Sequence, residues 1–157
     1  NEDTPLLWVL RDYLKLEHLR FGDRFTYTMS VEKTVMPGEI KVFPGMIQPF
    51  VENAIWHGVR NLHDRLGHIS VEIFQTGTNR LRCIVEDDGI GCRNAAMFKS
   101  RFNDHQSRGI ELVRERLRIF NAMSRTDCRI VIEDVFPEKE ETGTRVIIDL
   151  PAMCPAS

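Results

Sequence analysis

Apolar residues recur with a helical period in three separate segments of the chain, residues 5–21, 46–56 and 109–122. Because residues three and four positions apart lie on one face of an α-helix, each segment is expected to form a helix with a face that can be buried. Pro49 falls in the first turn of the second helix, where its missing N–H group is tolerated. Gly58 follows this helix and is predicted to form its C-terminal cap.

Between the helices, apolar residues alternate with other residues, which is the pattern of β-strands. Turn-forming residues at 76–79 and 138–141 separate neighbouring strands, so two antiparallel hairpins are predicted. A polar segment without a clear period, residues 93–106, is predicted to be a mobile loop. Hairpins mixed with helices indicate an α+β two-layer sandwich rather than a doubly wound parallel sheet. The predicted strands are 25–31, 40–43, 69–74, 81–85, 130–135 and 144–150.

Composition narrows the class of protein without identifying it. The chain has 157 residues, of which 42% are hydrophobic and 28% are charged, so one folded domain is expected. Its formal charge of -2 excludes a broadly basic nucleic-acid-binding protein and gives no case for an electrostatic membrane anchor. No apolar run reaches the roughly 18 residues that span a bilayer. The first residue is Asn1 rather than Met, so a piece of a longer protein is expected. The four cysteines lack the spacing of a zinc site, and reducing, cytoplasmic surroundings are expected.

The second predicted helix carries a polar motif. Glu52 and Asn53 are followed by His57, and Asn53 and His57, four residues apart, project from one face of the helix. An acid, an amide and an imidazole on adjacent turns could hold a hydrated metal ion and a polyphosphate. The polar outer face of an ordinary helix would show the same residues.

A second motif follows a predicted strand, where Asp87 precedes Gly89 and Gly91. A carboxylate at the end of a strand can accept a hydrogen bond from an exocyclic amine, and glycines let a ligand approach the backbone. The same residues also suit an ordinary turn.

Two further motifs are short. Ser107, Arg108 and Gly109 are predicted to open the third helix, where unpaired N–H groups could bind an anion and Arg108 could contact a phosphate. A simple N-cap by Ser107 explains this segment equally well. The last motif, Thr142-Gly143-Thr144, leads into the final strand and is also consistent with a hairpin turn.

The order and spacing of the four motifs are more specific than any one of them. Together they resemble the Bergerat, or GHKL, ATP-binding fold of DNA gyrase, heat-shock ATPase chaperones, sensor histidine kinases and MutL. The resemblance covers residues 43–151. The segments 12–25, 43–54 and 113–117 are similar to those of LytS-like sensor histidine kinases.

The resemblance implies a two-layer α/β sandwich, in which a mixed, mostly antiparallel sheet packs on helices. Residues 25–152 would bind ATP and Mg²⁺, residues 1–24 would end the dimerisation and phosphoacceptor helix region, and residues 153–157 would form a tail. The implied reaction transfers the γ-phosphoryl group of ATP to a histidine upstream of this chain, for relay to a response regulator. The implied parent is a homodimeric, membrane-anchored bacterial protein, and this chain is a cytoplasmic domain of it.

The resemblance also implies roles for single residues. Asn53 would coordinate Mg²⁺, with Glu52 as its catalytic neighbour. Asp87 would accept a hydrogen bond from the adenine amino group, helped by a water molecule near Thr144. Residues 93–106 would form the lid over ATP. The other implied ATP-binding residues are His57, Gly89, Gly91, Ser107, Arg108 and Gly109.

Two positions depart from the family pattern, which often has Gly at Ser107 and Asn at Asp88. We expect Asp88 to be solvated, because a carboxylate directed at ATP would repel its phosphates. The chain has no acceptor-histidine motif, and His18 is interpreted as a solvent-facing or interface residue. Two alternatives stay open, an ATP-gated clamp of the same fold and a pseudokinase that binds nucleotide without phosphotransfer.

Overall fold

The fold is described from a computed structural model, and the described residues form three helices and five strands. Helix α1 (Pro5–Phe21) and a short 3-10 turn (Gly22–Arg24) lead into strand β1. Helix α2 (Gln48–Asn53) continues directly as one π-helical turn (Ala54–Gly58). Helix α3 (Asp104–Ser124) is the longest helix of the three. The strands are β1 (Phe25–Val31), β2 (Gly67–Gly77), β3 (Arg80–Asp87), β4 (Ile130–Asp134) and β5 (Thr144–Pro151). The residues that the structure describes are 5–32, 46–59, 62, 64–77, 80–91 and 104–151.

The five strands form one sheet in the order β1-β2-β3-β5-β4. Strand β1 runs parallel to β2, and the other three pairings are antiparallel. The register places Asp87, the last residue of β3, opposite Thr144, the first residue of β5. These two strand ends therefore lie side by side at one end of the sheet, beside the end of the π-helical turn.

The core lies between one face of the sheet and the helices. Alternate residues of β2 and β3 point to this face because the side chains of a strand alternate between its two sides. Helix α1 belongs to the same core, since Leu10 and Leu14 are fully buried in it together with Phe25. The other large core side chains come from α2 and the residues on either side of it, from the sheet and from α3: Met46, Ile47, Phe50, Ile55, Ile69, Ile73, Val113, Leu117 and Ile148.

The predicted fold class is confirmed, as are the two antiparallel hairpins. The predicted C-terminal cap at Gly58 is wrong, because this glycine lies inside the π-helical turn. The predicted start of the third helix is also wrong, since α3 begins at Asp104, and residues 104–106 are therefore helical rather than part of a loop. The predicted strand at 40–43 and the remainder of the predicted loop lie outside the described residues. Within the described ranges, no helix combines the length and apolar composition needed to cross a membrane.

Candidate functional site

The candidate site is built around the carboxylate of Asp87, which is only 3% exposed. A Cβ atom on Gly58 would lie 2.6 Å from Asp87 Oδ1, so the carboxylate occupies the space that a side chain at Gly58 would fill. The backbone N–H of Gly89 donates a hydrogen bond to Asp87 Oδ1 over 2.9 Å. The end of the α2 segment and the loop after β3 thus fix the carboxylate in one orientation.

Glycines bring three backbone segments close together around this carboxylate. A Cβ atom on Gly89 would lie 2.2 Å from the carbonyl carbon of Gly58. Gly91 has a φ of 71°, and a Cβ atom there would lie 2.0 Å from Thr142 Oγ1. Any larger residue at Gly89 or Gly91 would force these segments apart, and Gly91 also adopts a backbone conformation that favours glycine.

The loop between β4 and β5 closes the site from the other side. Gly143 has a φ of 64°, and a Cβ atom there would lie 2.6 Å from the carbonyl oxygen of Asp87. Its N–H donates a hydrogen bond to the carbonyl oxygen of Gly89 over 3.2 Å. Thr144 follows and is buried beside Asp87 in the strand register. The structure therefore brings Asp87, Gly89, Gly91 and Thr144 together, as the motif order predicts.

Asn53, the last residue of α2, has a buried oxygen with an unused hydrogen-bonding capacity. The side chain is 4% exposed, and its Oδ1 atom has no hydrogen-bond partner in the part of the chain that the structure describes. Leaving a buried acceptor unpaired costs about 1–3 kcal/mol. An amide oxygen is a ligand type that Mg²⁺ accepts, so this atom fits a metal bound together with phosphate oxygens.

Glu52 differs from Asn53 in its surroundings. Its Oε1 atom accepts a hydrogen bond from Gln48 Nε2 over 3.0 Å, and its side chain is half-buried. Burial raises the pKa of Tyr13 on α1, and the negative charges of Glu17 and Glu52 raise it further. Glu52 therefore lies within electrostatic reach of α1.

The backbone of His57 lies in the π-helical turn, one residue before Gly58, and its side chain is outside the described part of the structure. A π-helical turn within an α-helix is often found at a functional site. The predicted pairing of Asn53 and His57 on one helical face stays a prediction.

The segment that was expected to open the third helix lies within it instead. Because α3 begins at Asp104, only Ser107 belongs to the first four residues, whose N–H groups have no partner within the helix. Arg108 is exposed, and a Cβ atom on Gly109 would lie 3.3 Å from Pro49 Cγ. Gly109 thus allows α3 to pack closely on α2, which explains a glycine inside a helix.

Asp88 is both partly solvated and paired, since its side chain is 37% exposed and contacts two other residues. Its Oδ1 atom accepts a hydrogen bond from the backbone N–H of His68 over 2.7 Å, and its Oδ2 atom lies 3.3 Å from Arg65 Nη1. Arg65 also binds Glu141. An open cavity of about 820 Å³ lies beside these residues, and Asn53 and Asp87 do not line it.

Sequence reasoning missed the roles of Gly58 and Arg65. Gly58 stands next to His57 in the motif, but its contact with Asp87 depends on the folded arrangement of two distant segments. Arg65 lies in an irregular segment, and no local pattern distinguishes it from a surface arginine. Its partner Glu141 is 76 positions away.

Sensor histidine kinases are among the known proteins that this chain resembles in sequence. No protein-family model matches the sequence. The chain is 29% identical over 113 residues to the sensor histidine kinase YpdA of Escherichia coli K12, a match that covers 72% of this chain and 19% of YpdA. It is 35% identical over 82 residues to the sensor histidine kinase/phosphatase LytS of Staphylococcus aureus Mu50, covering 52% of this chain and 14% of LytS. The chain thus spans less than a fifth of the length of these two curated relatives.

Solved structures of low sequence identity share the fold. The histidine kinase domain of the blue-light activated kinase EL346 of Erythrobacter litoralis matches with a TM-score of 0.63 and 20% identity, over 94% of this chain and 65% of that one. The mycobacterial sensor histidine kinase MprB matches with a TM-score of 0.62 and 16% identity, over 95% of both chains. The resemblance to LytS-like sensor histidine kinases is therefore confirmed, and the chain has the fold of a histidine kinase ATP-binding domain.

Proposed function

We propose that this chain is the catalytic ATP-binding domain of a two-component sensor histidine kinase. It binds Mg·ATP, and the γ-phosphoryl group passes to a histidine in a part of the parent protein that precedes this chain. The observation that carries the proposal is the buried Asp87 carboxylate, which is held against the backbone of Gly58 and lies opposite Thr144. This arrangement suits recognition of a flat ring that carries an exocyclic amine.

The adenine end of the nucleotide is assigned to the loop after β3. Asp87 Oδ1 already accepts the N–H of Gly89, and a carboxylate has capacity for further hydrogen bonds. The adenine amino group would donate one of them, with a water molecule near Thr144 completing the contacts. Gly89 and Gly91 let the loop after β3 pack directly against Gly58 and Thr142, which holds the backbone around this carboxylate in place.

The phosphate end is assigned to α2 and to the start of α3. Asn53 would hold Mg²⁺ through Oδ1, and Glu52 and His57 would lie beside the phosphates. Ser107, Arg108 and Gly109 would approach the phosphate chain from α3, and residues 93–103, the part of the predicted loop that precedes α3, would form the lid. Mg²⁺, when bound, neutralises charge on the phosphate oxygens, and the task of the side chains is to position the nucleotide.

The wider assignment follows the family resemblance. Residues 25–152 form the ATP-binding domain, residues 1–24 continue from a dimerisation and phosphoacceptor helix region, and residues 153–157 are a tail. The partners are ATP, the upstream acceptor domain of a homodimer and a response regulator. The domain works in the cytoplasm of a bacterium, in a membrane-anchored parent. The curated relatives, which are named sensor histidine kinases, support this assignment.

Titration of the 157-residue chain with Mg·ATP by calorimetry tests the proposal. We expect binding that depends on Mg²⁺, and we expect Asn53→Ala to weaken it by at least about tenfold, a loss of about 1.4 kcal/mol. The same substitution should not lower thermal stability strongly, because removing the unpaired Asn53 Oδ1 relieves a desolvation cost that offsets the lost packing.

Asn121→Ala provides the matched control. Asn121 Oδ1 accepts hydrogen bonds from Thr126 Oγ1 and from the N–H of Cys128, both over 2.9 Å. This variant should lose about 1–3 kcal/mol of stability and keep its affinity for Mg·ATP. If Asn53→Ala binds Mg·ATP as tightly as the unsubstituted 157-residue chain, the assignment of Asn53 as metal ligand is contradicted. If the unsubstituted chain binds no nucleotide, the proposed function is refuted.

A further inference from the structure

Arg65 lies in the bend before β2 and reaches two other segments of the chain. Its Nη1 atom lies 3.3 Å from Asp88 Oδ2, and its Nη2 atom donates a hydrogen bond to the carbonyl oxygen of Asp88. Its Nε and Nη2 atoms donate to Glu141 Oε1 over 3.2 and 3.1 Å. One guanidinium group thus binds the loop after β3 and the loop between β4 and β5 at the same time.

The two segments that Arg65 joins are the ones that form the candidate site. Asp88 follows Asp87 directly, and Glu141 directly precedes Thr142-Gly143-Thr144. Between these segments the backbone hydrogen bond from Gly143 to Gly89 is 3.2 Å long. Asp87 and Thr144 are paired within the sheet, whereas the spacing of the loops that flank them also depends on contacts outside the ladder.

The charges explain why an arginine is suited to this position. Asp88 and Glu141 both carry negative charge and approach the same point, so without a cation between them they would repel each other. The planar guanidinium offers several N–H donors in a fixed fork, and it can serve two carboxylates and a carbonyl oxygen simultaneously. Asp88 also accepts the N–H of His68, which ties the same loop to β2.

We propose that Arg65 is a positioning residue for the nucleotide site, holding the Asp87–Gly91 loop and the loop before Thr144 in the spacing that adenine binding needs. This inference rests on the proposed function. The side chains of Arg65 and Asp88 are 37% exposed and that of Glu141 is 40% exposed, so each ion pair alone is weak. The joint effect of the contacts on the spacing of the two loops is what matters for the ligand.

Two measurements on the 157-residue chain test this role, with Arg65→Gln as the main variant. Hydrogen exchange at the Gly143 amide should become about fivefold faster or more, because this amide bridges to Gly89 and local opening exposes it. The dissociation constant for Mg·ATP, measured by calorimetry, should rise about three- to tenfold. Arg65→Lys keeps the charge but loses the fork, and it should recover part of both losses.

Arg82→Gln is the matched control. Arg82 binds Asp149 Oδ1 through Nε and Nη2, both over 3.1 Å, between β3 and β5, and its side chain is 40% exposed. This variant removes an arginine of similar exposure away from the site, although its partner Asp149 is only 14% exposed. In this variant, we expect the exchange rate at the Gly143 amide and the dissociation constant for Mg·ATP to stay within about twofold of the values of the unsubstituted chain.

The outcomes separate this inference from the proposed function. If Arg65→Gln has the same exchange rate at the Gly143 amide and the same affinity for Mg·ATP as the unsubstituted chain, the positioning role is overturned. The proposed function would still stand. Equal losses in Arg65→Gln and Arg65→Lys would still support it, and would assign the effect to the fork of N–H donors rather than to the charge. If the unsubstituted 157-residue chain binds no Mg·ATP, the proposed function fails. The exchange rate at the Gly143 amide still decides whether Arg65 holds the two loops together.

Discussion

At the scale of single residues, the candidate site depends on its glycines, which have no side chain, as much as on the side chains that it contains. Asp87 can lie against the end of the α2 segment only because Gly58 has no Cβ atom, and Gly89 can approach Gly58 for the same reason. A buried carboxylate needs hydrogen bonds to remain charged, and the N–H of Gly89 supplies one. Glycine thus sets both the position of Asp87 and part of its hydrogen bonding.

Gly58→Ala is expected to disturb the site directly. The new methyl group would lie 2.6 Å from Asp87 Oδ1, so either the carboxylate or the helix end must shift. We expect a stability loss of about 1–3 kcal/mol, typical of overpacking, in urea unfolding. We also expect the dissociation constant for Mg·ATP to rise at least about tenfold.

Gly77→Ala is the control for this substitution, because no heavy atom lies within 4 Å of the position that its Cβ atom would occupy. It should change stability by about 0.5 kcal/mol or less and leave nucleotide binding intact. If Gly58→Ala binds Mg·ATP with the same affinity as the unsubstituted chain, the placement of Asp87 against Gly58 is not required for binding.

The residues of the motifs could be predicted from the sequence because each motif is local. Asp87, Gly89 and Gly91 lie within five positions, and their chemistry can be recognised without knowing the fold. The role of Arg65 could not be predicted, because its partners come from segments 23 and 76 positions away. The pairing of Asp88 could not be predicted for the same reason, since it depends on where Arg65 lies.

At the scale of elements, α1 is part of the packed core of the described structure. Leu10 and Leu14 have no exposed surface and belong to the same cluster as Phe25 of β1. The opposite side of this helix carries Leu16 and Leu19, which are 64% and 79% exposed. The helix therefore contributes one face to the core and carries two exposed leucines outside it.

Leu14→Ala should destabilise the 157-residue chain strongly, by about 2–5 kcal/mol, because it leaves a cavity in the core. Leu16→Ala removes the same atoms from an exposed position on the same helix and should cost about 0.5 kcal/mol or less. Urea unfolding followed by circular dichroism measures both values. Equal effects of the two substitutions would mean that α1 does not pack as described.

The elements that could be predicted are those formed by neighbours in sequence. Both hairpins follow from local alternation and turn residues, and both are confirmed. The parallel pairing of β1 with β2 was not predicted, because it joins strands that are separated by a helix and depends on the whole topology. The start of α3 was placed too late because Gly109 was interpreted as part of a flexible helix opening, whereas its contact with Pro49 shows close helix packing.

At the scale of the whole molecule, the described charges largely neutralise one another in pairs across the sheet. Hydrogen bonds to Glu86 and then Glu133 raise the pKa of Arg145, and Arg82 pairs with Asp149. The formal charge of the chain is -2, so no broad positive field attracts a nucleotide. The proposed binding of ATP must therefore rely on local groups and on Mg²⁺.

Phosphotransfer tests the whole-molecule assignment, because it separates the nucleotide site from the acceptor. His18 is half-buried, with its ring centroid 5.5 Å from that of Phe25 and 5.7 Å from that of Tyr27, which fits a packing role. We expect the 157-residue chain to bind Mg·ATP labelled at the γ-phosphate without becoming labelled itself. The longer parent should acquire acid-labile label of the kind that phosphohistidine gives.

His18→Gln in that parent is the matched control, since it removes the ring nitrogens of a histidine that is not assigned as the acceptor. It should reduce labelling by less than about twofold, which corresponds to less than about 0.4 kcal/mol. If the 157-residue chain becomes labelled, the acceptor lies within these residues and an upstream acceptor is contradicted. Loss of label from the longer protein in His18→Gln would lead to the same conclusion. An unlabelled parent that still binds Mg·ATP would instead favour a signalling domain that binds nucleotide without transferring phosphate.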